Sequence, residues 1–178
     1  MSRLAEIREQ DATGKAAEIF AGIKKAVGKV PNAYLTIGGH SPAALQQALA
    51  HNAMLQKGSL NAKELEAINL SVSEATGCDY CLAAHSMMAK NAGFSREQIR
   101  QLRRAEYAED AHLDALAKFA QTVVTTTGTL PQADVTALKN AGFDDRQVIE
   151  IISAISAILF TNMVNRVNDT VVDFPKAD

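Results

Sequence analysis

The chain has no tryptophan, few other aromatic residues and only two cysteines. Aromatic residues make up 5% of the composition although hydrophobic residues make up 47%, so most of the apolar content is aliphatic, which is typical of helical proteins. Two cysteines cannot form a disulfide framework. The 18 basic and 20 acidic residues are interspersed, with a net charge of −2, so no basic patch indicates a nucleic-acid partner.

The N-terminus lacks the apolar core of a signal peptide, and no apolar run approaches the roughly 18 residues of a membrane span. We therefore expect a cytoplasmic protein without a nucleic-acid or membrane partner. The length of 178 residues suits one domain, and we expect residues 1–178 to form it. Since no segment alternates apolar and polar residues with a period of two, the predicted fold class is all-α.

Capping residues and helix breakers divide the chain into predicted helices. The apolar periodicity predicts helices at about 13–27, 31–37, 42–56, 61–76, 78–91, 95–104, 112–127, 131–140 and 145–172. Asn61 with Glu64 three residues later has the pattern of a capping box. The pair Gly38-Gly39 is expected to end the second helix.

A weak internal repeat predicts two related helical hairpins, with the motif described below in 61–93 and a degenerate copy at about 142–172. In the order of the chain, Gly58, Asn61, Glu66, Ile68, Cys78, Cys81 and His85 align with Gly142, Asp145, Glu150, Ile152, Asn162, Asn165 and Asp169. We interpret the polar face of Asn162, Asn165 and Asp169 as a buried seam or a subunit contact.

Both cysteines lie in the segment Cys78-Asp79-Tyr80-Cys81, and His85 follows four residues later. On a helix, residues three and four apart are neighbours, so the two thiols and the imidazole share one face. Gly77 makes Cys78 the N-cap or the first residue of that helix. Backbone N–H groups and the positive end of the helix dipole favour a thiolate there.

His85 lies one turn beyond Cys81, whereas Cys78 is two turns away, so Cys81 is the better candidate for activation by a base. Glu66 precedes the turn at Gly77 by about as many residues as His85 follows it. In an antiparallel hairpin the two side chains therefore lie at similar heights. This spacing predicts a proton path from Glu66 through His85 to Cys81.

Together, Glu66, the Cys78/Cys81 pair and His85 resemble the signature of the carboxymuconolactone decarboxylase superfamily, in its AhpD-like alkylhydroperoxidase branch. The match is specific over about 61–99 and looser in the final helix. It implies an all-α fold that assembles as a trimer, or as a hexamer built from trimers. It also implies that Cys81 is the peroxidatic thiol, Cys78 the resolving thiol, and Glu66 and His85 parts of a proton relay. Tyr80 replaces a histidine of the best-known branch and is a possible relay or pocket residue.

The resulting hypothesis is a thiol-dependent alkyl hydroperoxide reductase that needs no cofactor, with a hydroperoxide as substrate and a dithiol or a protein as reductant. One alternative is a dithiol redox adaptor or disulfide reductase that serves a separate peroxidase. Another is a lactone decarboxylase-like enzyme with His85 as base, against which the paired cysteines argue.

Two other interpretations of the cysteines are inert burial and a zinc site formed with His85 and Glu66. Burial alone explains neither the spacing nor the histidine, and a structural zinc site usually brings a second Cys or His pair, so we expect no metal. Three further histidines, at positions 40, 51 and 112, are expected at the surface.

Overall fold

Helices form almost all of the regular structure in the computed structural model of the protein, which describes residues 2–177. They are α1 (Gly14–Val27), α2 (Asn32–His40), α3 (Pro42–Leu55), α4 (Ala62–Thr76), α5 (Asp79–Asn91), α6 (Arg96–Arg104), α7 (Ala111–Thr125), α8 (Gln132–Asn140) and α9 (Asp145–Asn168). A short 3-10 turn precedes them at Glu9–Asp11. Since this part of the chain contains no strand, the predicted all-α class is confirmed.

The predicted capping box begins α4. The Asn61 side chain accepts hydrogen bonds from the backbone N–H groups of Lys63 and Glu64, and the Glu64 carboxylate accepts one from the Asn61 N–H at 2.6 Å. Gly77 ends the helix in the left-handed region, at φ 67°. A residue with a Cβ adopts this conformation at a cost, so glycine allows the sharp turn from α4 into α5.

The prediction that Gly38 and Gly39 end the second helix is wrong, since α2 continues through both to His40. The two glycines permit close packing. A Cβ on Gly38 would lie 2.5 Å from a methyl group of Leu45 and 2.6 Å from the ring of Phe20, and one on Gly39 would overlap Ile7. Glycine is therefore needed here to let other elements approach the backbone of α2.

The region of the degenerate repeat forms one continuous helix, α9, where the sequence predicts a second hairpin. Residues 145–168 contain no glycine or proline, so nothing equivalent to the turn at Gly77 interrupts them. The helix ends before the predicted position 172, because Asp169 adopts the left-handed conformation at φ 52°. Residues 170–177 form a tail without regular secondary structure.

The core surrounds α4, which packs against α5, α6, α7 and α9. Ile68, Leu70 and Val72 of α4 are fully buried, and Ile151 and Ile155 of α9 are buried with them in the same cluster. A smaller apolar cluster joins α1, α2 and α3. This packing brings the C-terminal half of α9 beside the turn between α4 and α5.

The outer face of α9 is apolar and exposed. The residues that carry it are Ile149, Ile152, Met163 and Val167, each between 45% and 67% exposed. By length and composition alone α9 could cross a membrane, which the sequence analysis did not anticipate. Its opposite face packs into the core and buries three asparagines, so the helix is only partly covered within one chain. The trimer or hexamer stays a prediction.

A carboxylate–histidine pair joins α4, α7 and α8. His112, expected at the surface, is half-buried and stacks on the Phe143 ring at 4.0 Å between centroids. Its Nε2 lies 2.7 Å from the Glu64 carboxylate, and its Nδ1 lies 2.7 Å from the Ala141 carbonyl oxygen. Both partners are acceptors, so an imidazolium satisfies them best. Burial alone would lower the pKa of His112, but these two hydrogen bonds raise it above its usual value.

We expect His112→Phe to destabilise the fold by about 2 kcal/mol at pH 6, because the stacked ring is kept while Glu64 loses its partner. A histidine whose pKa is raised in the folded state contributes stability that is fully present below its unfolded pKa and is lost as pH rises through its folded pKa. The difference in the free energy of unfolding between wild type and variant, measured by urea unfolding, should therefore shrink from pH 6 to pH 9. A gap that is constant with pH would contradict the charged pair.

Candidate active site

The C-x-x-C pair lies at the start of α5. Cys78 is the N-cap, and its Sγ accepts a hydrogen bond from the backbone N–H of Cys81 at 3.4 Å. Cys81 therefore lies in the first turn of the helix, where unpaired N–H groups and the helix dipole stabilise negative charge. The expected position of Cys78 at the cap is confirmed.

Both sulfurs are free thiols with almost no solvent exposure, 1% for Cys78 and 3% for Cys81. A hydrogen bond from the Cys78 thiol is the largest influence on Cys81 and lowers its pKa to about 6, although burial opposes this. The same hydrogen bond, together with burial, raises the pKa of Cys78 well above its usual range. Cys81 therefore ionises first and Cys78 keeps its proton.

The structure brings Glu66 and His85 into contact across the α4–α5 hairpin. The Glu66 carboxylate lies 2.9 Å from Nδ1 of His85, and the two side chains are 13% and 17% exposed. Burial alone would lower the pKa of His85, but the Glu66 charge and hydrogen bond raise it above its usual value. Glu66 thus holds His85 as a cation that can give up a proton.

The link between His85 and Cys81 is electrostatic. Among the described residues the structure shows no direct hydrogen bond from the His85 ring to the Cys81 sulfur. Each nevertheless acts on the other, since the His85 charge lowers the pKa of Cys81 and the thiolate raises the pKa of His85. The last step of the predicted proton path therefore needs a bridging group, such as a water or a substrate oxygen.

Two buried asparagines of α9 reach the motif. Nδ2 of Asn165 donates to Cys81 Sγ at 3.4 Å. Nδ2 of Asn162 donates to Ser73 Oγ at 3.3 Å, and this amide also acts on the Cys81 sulfur. Asn162 is further fixed by Thr76, which donates to its Oδ1 at 2.8 Å. Both amides favour the thiolate and lower the pKa of Cys81. The interpretation of this face as a buried seam holds for these two residues, whereas Asp169 is exposed.

Asn162 and Asn165 have no predicted role in the site from the sequence alone. The available signal was three asparagines with helical spacing in an otherwise apolar helix, since a buried amide needs a polar partner. Spacing alone could not identify that partner, because α9 meets the cysteines only through tertiary packing.

Tyr80 is tied to the C-terminal tail. Its hydroxyl donates to the Asp173 carboxylate at 2.7 Å and accepts from the backbone N–H of Ala33 at 3.1 Å, while its ring packs edge-on against Phe174. Lys29 holds the other Asp173 oxygen at 2.9 Å. The phenol is engaged on both sides, and burial raises its pKa further above the usual range. Tyr80 thus anchors the motif helix to the tail, and its possible relay role gains no support from these contacts.

Tyr34 of α2 is half-buried and packs against the core cluster that contains both cysteines. It lies close enough to Cys81 for the thiolate to affect its pKa. Burial raises the pKa of Tyr34, with a further contribution from the Cys81 charge. A neutral phenol therefore borders the site.

The zinc interpretation has no geometric support. Over residues 2–177, no group of three or more His, Cys, Asp or Glu side chains is arranged to hold a metal ion. Glu66 directs its carboxylate to His85, and the Cys78 sulfur accepts a hydrogen bond from the backbone N–H of Cys81.

Comparisons with known proteins agree with this fold. Residues 42–122 match the model of the carboxymuconolactone decarboxylase family, and no curated protein gives a significant match. A similar solved structure is an uncharacterised peroxidase-related protein from Ralstonia eutropha JMP134, described as an alkylhydroperoxidase AhpD core. It is 22% identical over 97% of this chain and 92% of that chain, with a TM-score of 0.84.

Two further structures share the fold. A peroxidase-related protein from Silicibacter sp. TM1040 is 22% identical over 96% of this chain and 91% of that chain, with a TM-score of 0.83. The debrominase Bmp8, solved in complex with 2,3,4-tribromopyrrole, is 20% identical over 97% of this chain and 94% of that chain, with a TM-score of 0.80. At these identities the likeness shows the fold.

The order of ionisation can be tested by alkylation. We expect iodoacetamide to label Cys81 with a midpoint near pH 6, well before Cys78 reacts. In Cys78→Ala the midpoint should rise, because the main donor to the thiolate is lost, whereas Cys78→Ser keeps a hydroxyl donor and should stay closer to wild type. Mass mapping of the labelled peptide reports the site. Preferential labelling of Cys78 would contradict this assignment.

Proposed function

Since residues 42–122 match the carboxymuconolactone decarboxylase family and the chain has an AhpD-like fold, we propose that it is an enzyme that reduces hydroperoxides with its C-x-x-C pair. Family and fold by themselves support a redox or a decarboxylase-like role. The observation that carries the redox proposal is a pair of free thiols at the start of α5, with Asn165 donating to Cys81 Sγ and the Glu66–His85 pair on the same hairpin. This arrangement lowers the pKa of Cys81 and raises the pKa of Cys78. Decarboxylation has no use for such a pair.

In the proposed reaction, the Cys81 thiolate attacks the terminal oxygen of the hydroperoxide. The S–O bond forms as the O–O bond breaks, so the sulfur is oxidised to a sulfenic acid and the alkoxide leaves. His85, held as a cation by Glu66, supplies the proton that converts the alkoxide to an alcohol. The peroxide is thereby reduced by two electrons.

Cys78 then resolves the sulfenic acid. Its thiol attacks the Cys81 sulfur, loses its proton, and the hydroxyl group leaves as water, which gives a disulfide. Cβ atoms three residues apart on a regular helix are about 5–6 Å apart, more than the roughly 3.5–4.5 Å of a disulfide. The N-cap position of Cys78 supports closure, because its backbone is extended at φ −97° and ψ 90°. A dithiol or protein reductant restores both thiols by exchange.

Turnover of cumene hydroperoxide with dithiothreitol tests the proposal. We expect Cys81→Ser to abolish it, and Glu66→Gln to slow it by about 10–100-fold, because His85 loses the charge that keeps it protonated. Met88→Ser is the matched control, since Met88 is an exposed sulfur residue on the same helix and should leave the rate unchanged. Unchanged peroxide loss in Cys81→Ser would end the proposal.

A second candidate is reductive debromination, favoured by the shared fold with a debrominase. The thiolate would take bromine from an electron-rich aromatic ring, the ring would gain a proton, and Cys78 would displace bromide to form the same disulfide. Bromide release from 2,3,4-tribromopyrrole, without peroxide turnover, would support this candidate. Disulfide cycling without either reaction would support the redox adaptor.

A further inference from the structure

One buried polar atom beside Cys81 has no partner. Asn165 is only 4% exposed and donates its Nδ2 to the sulfur, but its Oδ1 accepts no hydrogen bond within the described structure. Buried amide oxygens are nearly always satisfied, so an acceptor left free at a reactive thiol points to a group that binds there during the reaction.

The two ends of this carboxamide are close together. Its nitrogen and oxygen lie about 2.3 Å apart, as standard bond lengths and angles require. An oxygen atom that donates a hydrogen bond of about 2.8 Å to Oδ1 can therefore lie within about 3–3.5 Å of Sγ, which is the range for attack. Both cysteines are almost fully buried, whereas the His85 and Glu66 side chains keep partial exposure. A hydroperoxide would therefore approach Cys81 from the side of His85 and Glu66.

We propose that Asn165 binds the hydroperoxide through its free Oδ1, which accepts the O–H of the oxygen that Cys81 attacks. This inference rests on the proposed hydroperoxide reduction and adds what selects the substrate. The attacked oxygen must carry a hydrogen, so the class is hydroperoxides, including hydrogen peroxide.

The same contact serves each stage of the reaction. In the bound substrate, the terminal O–H points to Oδ1, so this oxygen rather than the alkyl-bearing one faces the sulfur. The oxygen keeps its hydrogen when the S–O bond forms and the O–O bond breaks, and the alkoxide takes its proton from His85. The sulfenic acid then donates its O–H to the same Oδ1 until Cys78 displaces water. One amide thus holds the thiolate with its nitrogen and the transferred oxygen with its carbonyl.

The test compares two electrophiles on wild type, Asn165→Ala and Asn165→Leu, at a pH where the thiolate is fully formed in each protein. Cumene hydroperoxide has the required O–H, whereas methyl methanethiosulfonate has no hydrogen-bond donor. We expect the variants to react about tenfold more slowly with the hydroperoxide, the loss expected for one hydrogen bond, and within about twofold of wild type with the thiosulfonate. Agreement between Ala and Leu excludes an effect of the cavity.

Asn168→Ala is the matched control, because Asn168 is a buried asparagine one turn further along α9 that bonds to Thr36 and Thr170 and not to the cysteine. It should leave the ratio of the two rates unchanged. Equal losses with both electrophiles in the Asn165 variants would overturn the inference while leaving the peroxidase proposal intact. A wild type inert to hydroperoxides would overturn both.

A measurement on unmutated residues covers the case in which both Asn165 variants fail to fold. In Cys78→Ser, the side-chain carbonyl resonance of Asn165 should shift when one equivalent of hydroperoxide forms the sulfenic acid at Cys81. Reaction with methyl methanethiosulfonate, which leaves no O–H on the sulfur, should produce a smaller shift of that carbonyl. Equal shifts with the two reagents would contradict the contact.

Discussion

A negative charge on a buried sulfur has to be stabilised by donors, and the arrangement of α4, α5 and α9 follows from this requirement. Cys81 loses almost all contact with water, which by itself would keep the thiol protonated. The Cys78 thiol, the Asn165 and Asn162 amides and the His85 charge together reverse that preference. These groups come from the helix cap, from α9 and from the middle of α5, so the thiolate depends on the fold being complete.

Two carboxylate–histidine pairs flank α4, and their surroundings give them different uses. Glu66 and His85 lie beside a reactive sulfur and keep some exposure, so a proton can enter and leave. Glu64 and His112 have no nucleophile among their hydrogen-bond partners. There, both ring nitrogens are occupied by acceptors and the ring stacks on Phe143, an arrangement that holds α4, α7 and α8 together. We therefore propose that the same chemical pair acts as an acid in one place and as a structural tie in the other.

Local signals in the sequence were sufficient to predict the α4–α5 hairpin. The capping box at Asn61, the glycine turn at Gly77 and helical spacing were enough to predict the hairpin and to bring Glu66 near His85. These signals could not predict the long-range contacts. The acceptor for Asn165, the tie from Tyr80 to Asp173 and the pairing of His112 with Glu64 join residues far apart in the chain. Gly38 and Gly39 were misread because a glycine needed for close packing looks the same in sequence as one that ends a helix.

The central claim is that Cys81 accepts the peroxide oxygen and Cys78 removes it. Intact mass after one equivalent of cumene hydroperoxide tests this most directly, in wild type and in Cys78→Ser. Wild type should lose about 2 Da as the disulfide forms, and Cys78→Ser should gain about 16 Da as the sulfenic acid accumulates. An unchanged mass in both proteins, or a gain of oxygen in Cys81→Ser instead, would contradict the account.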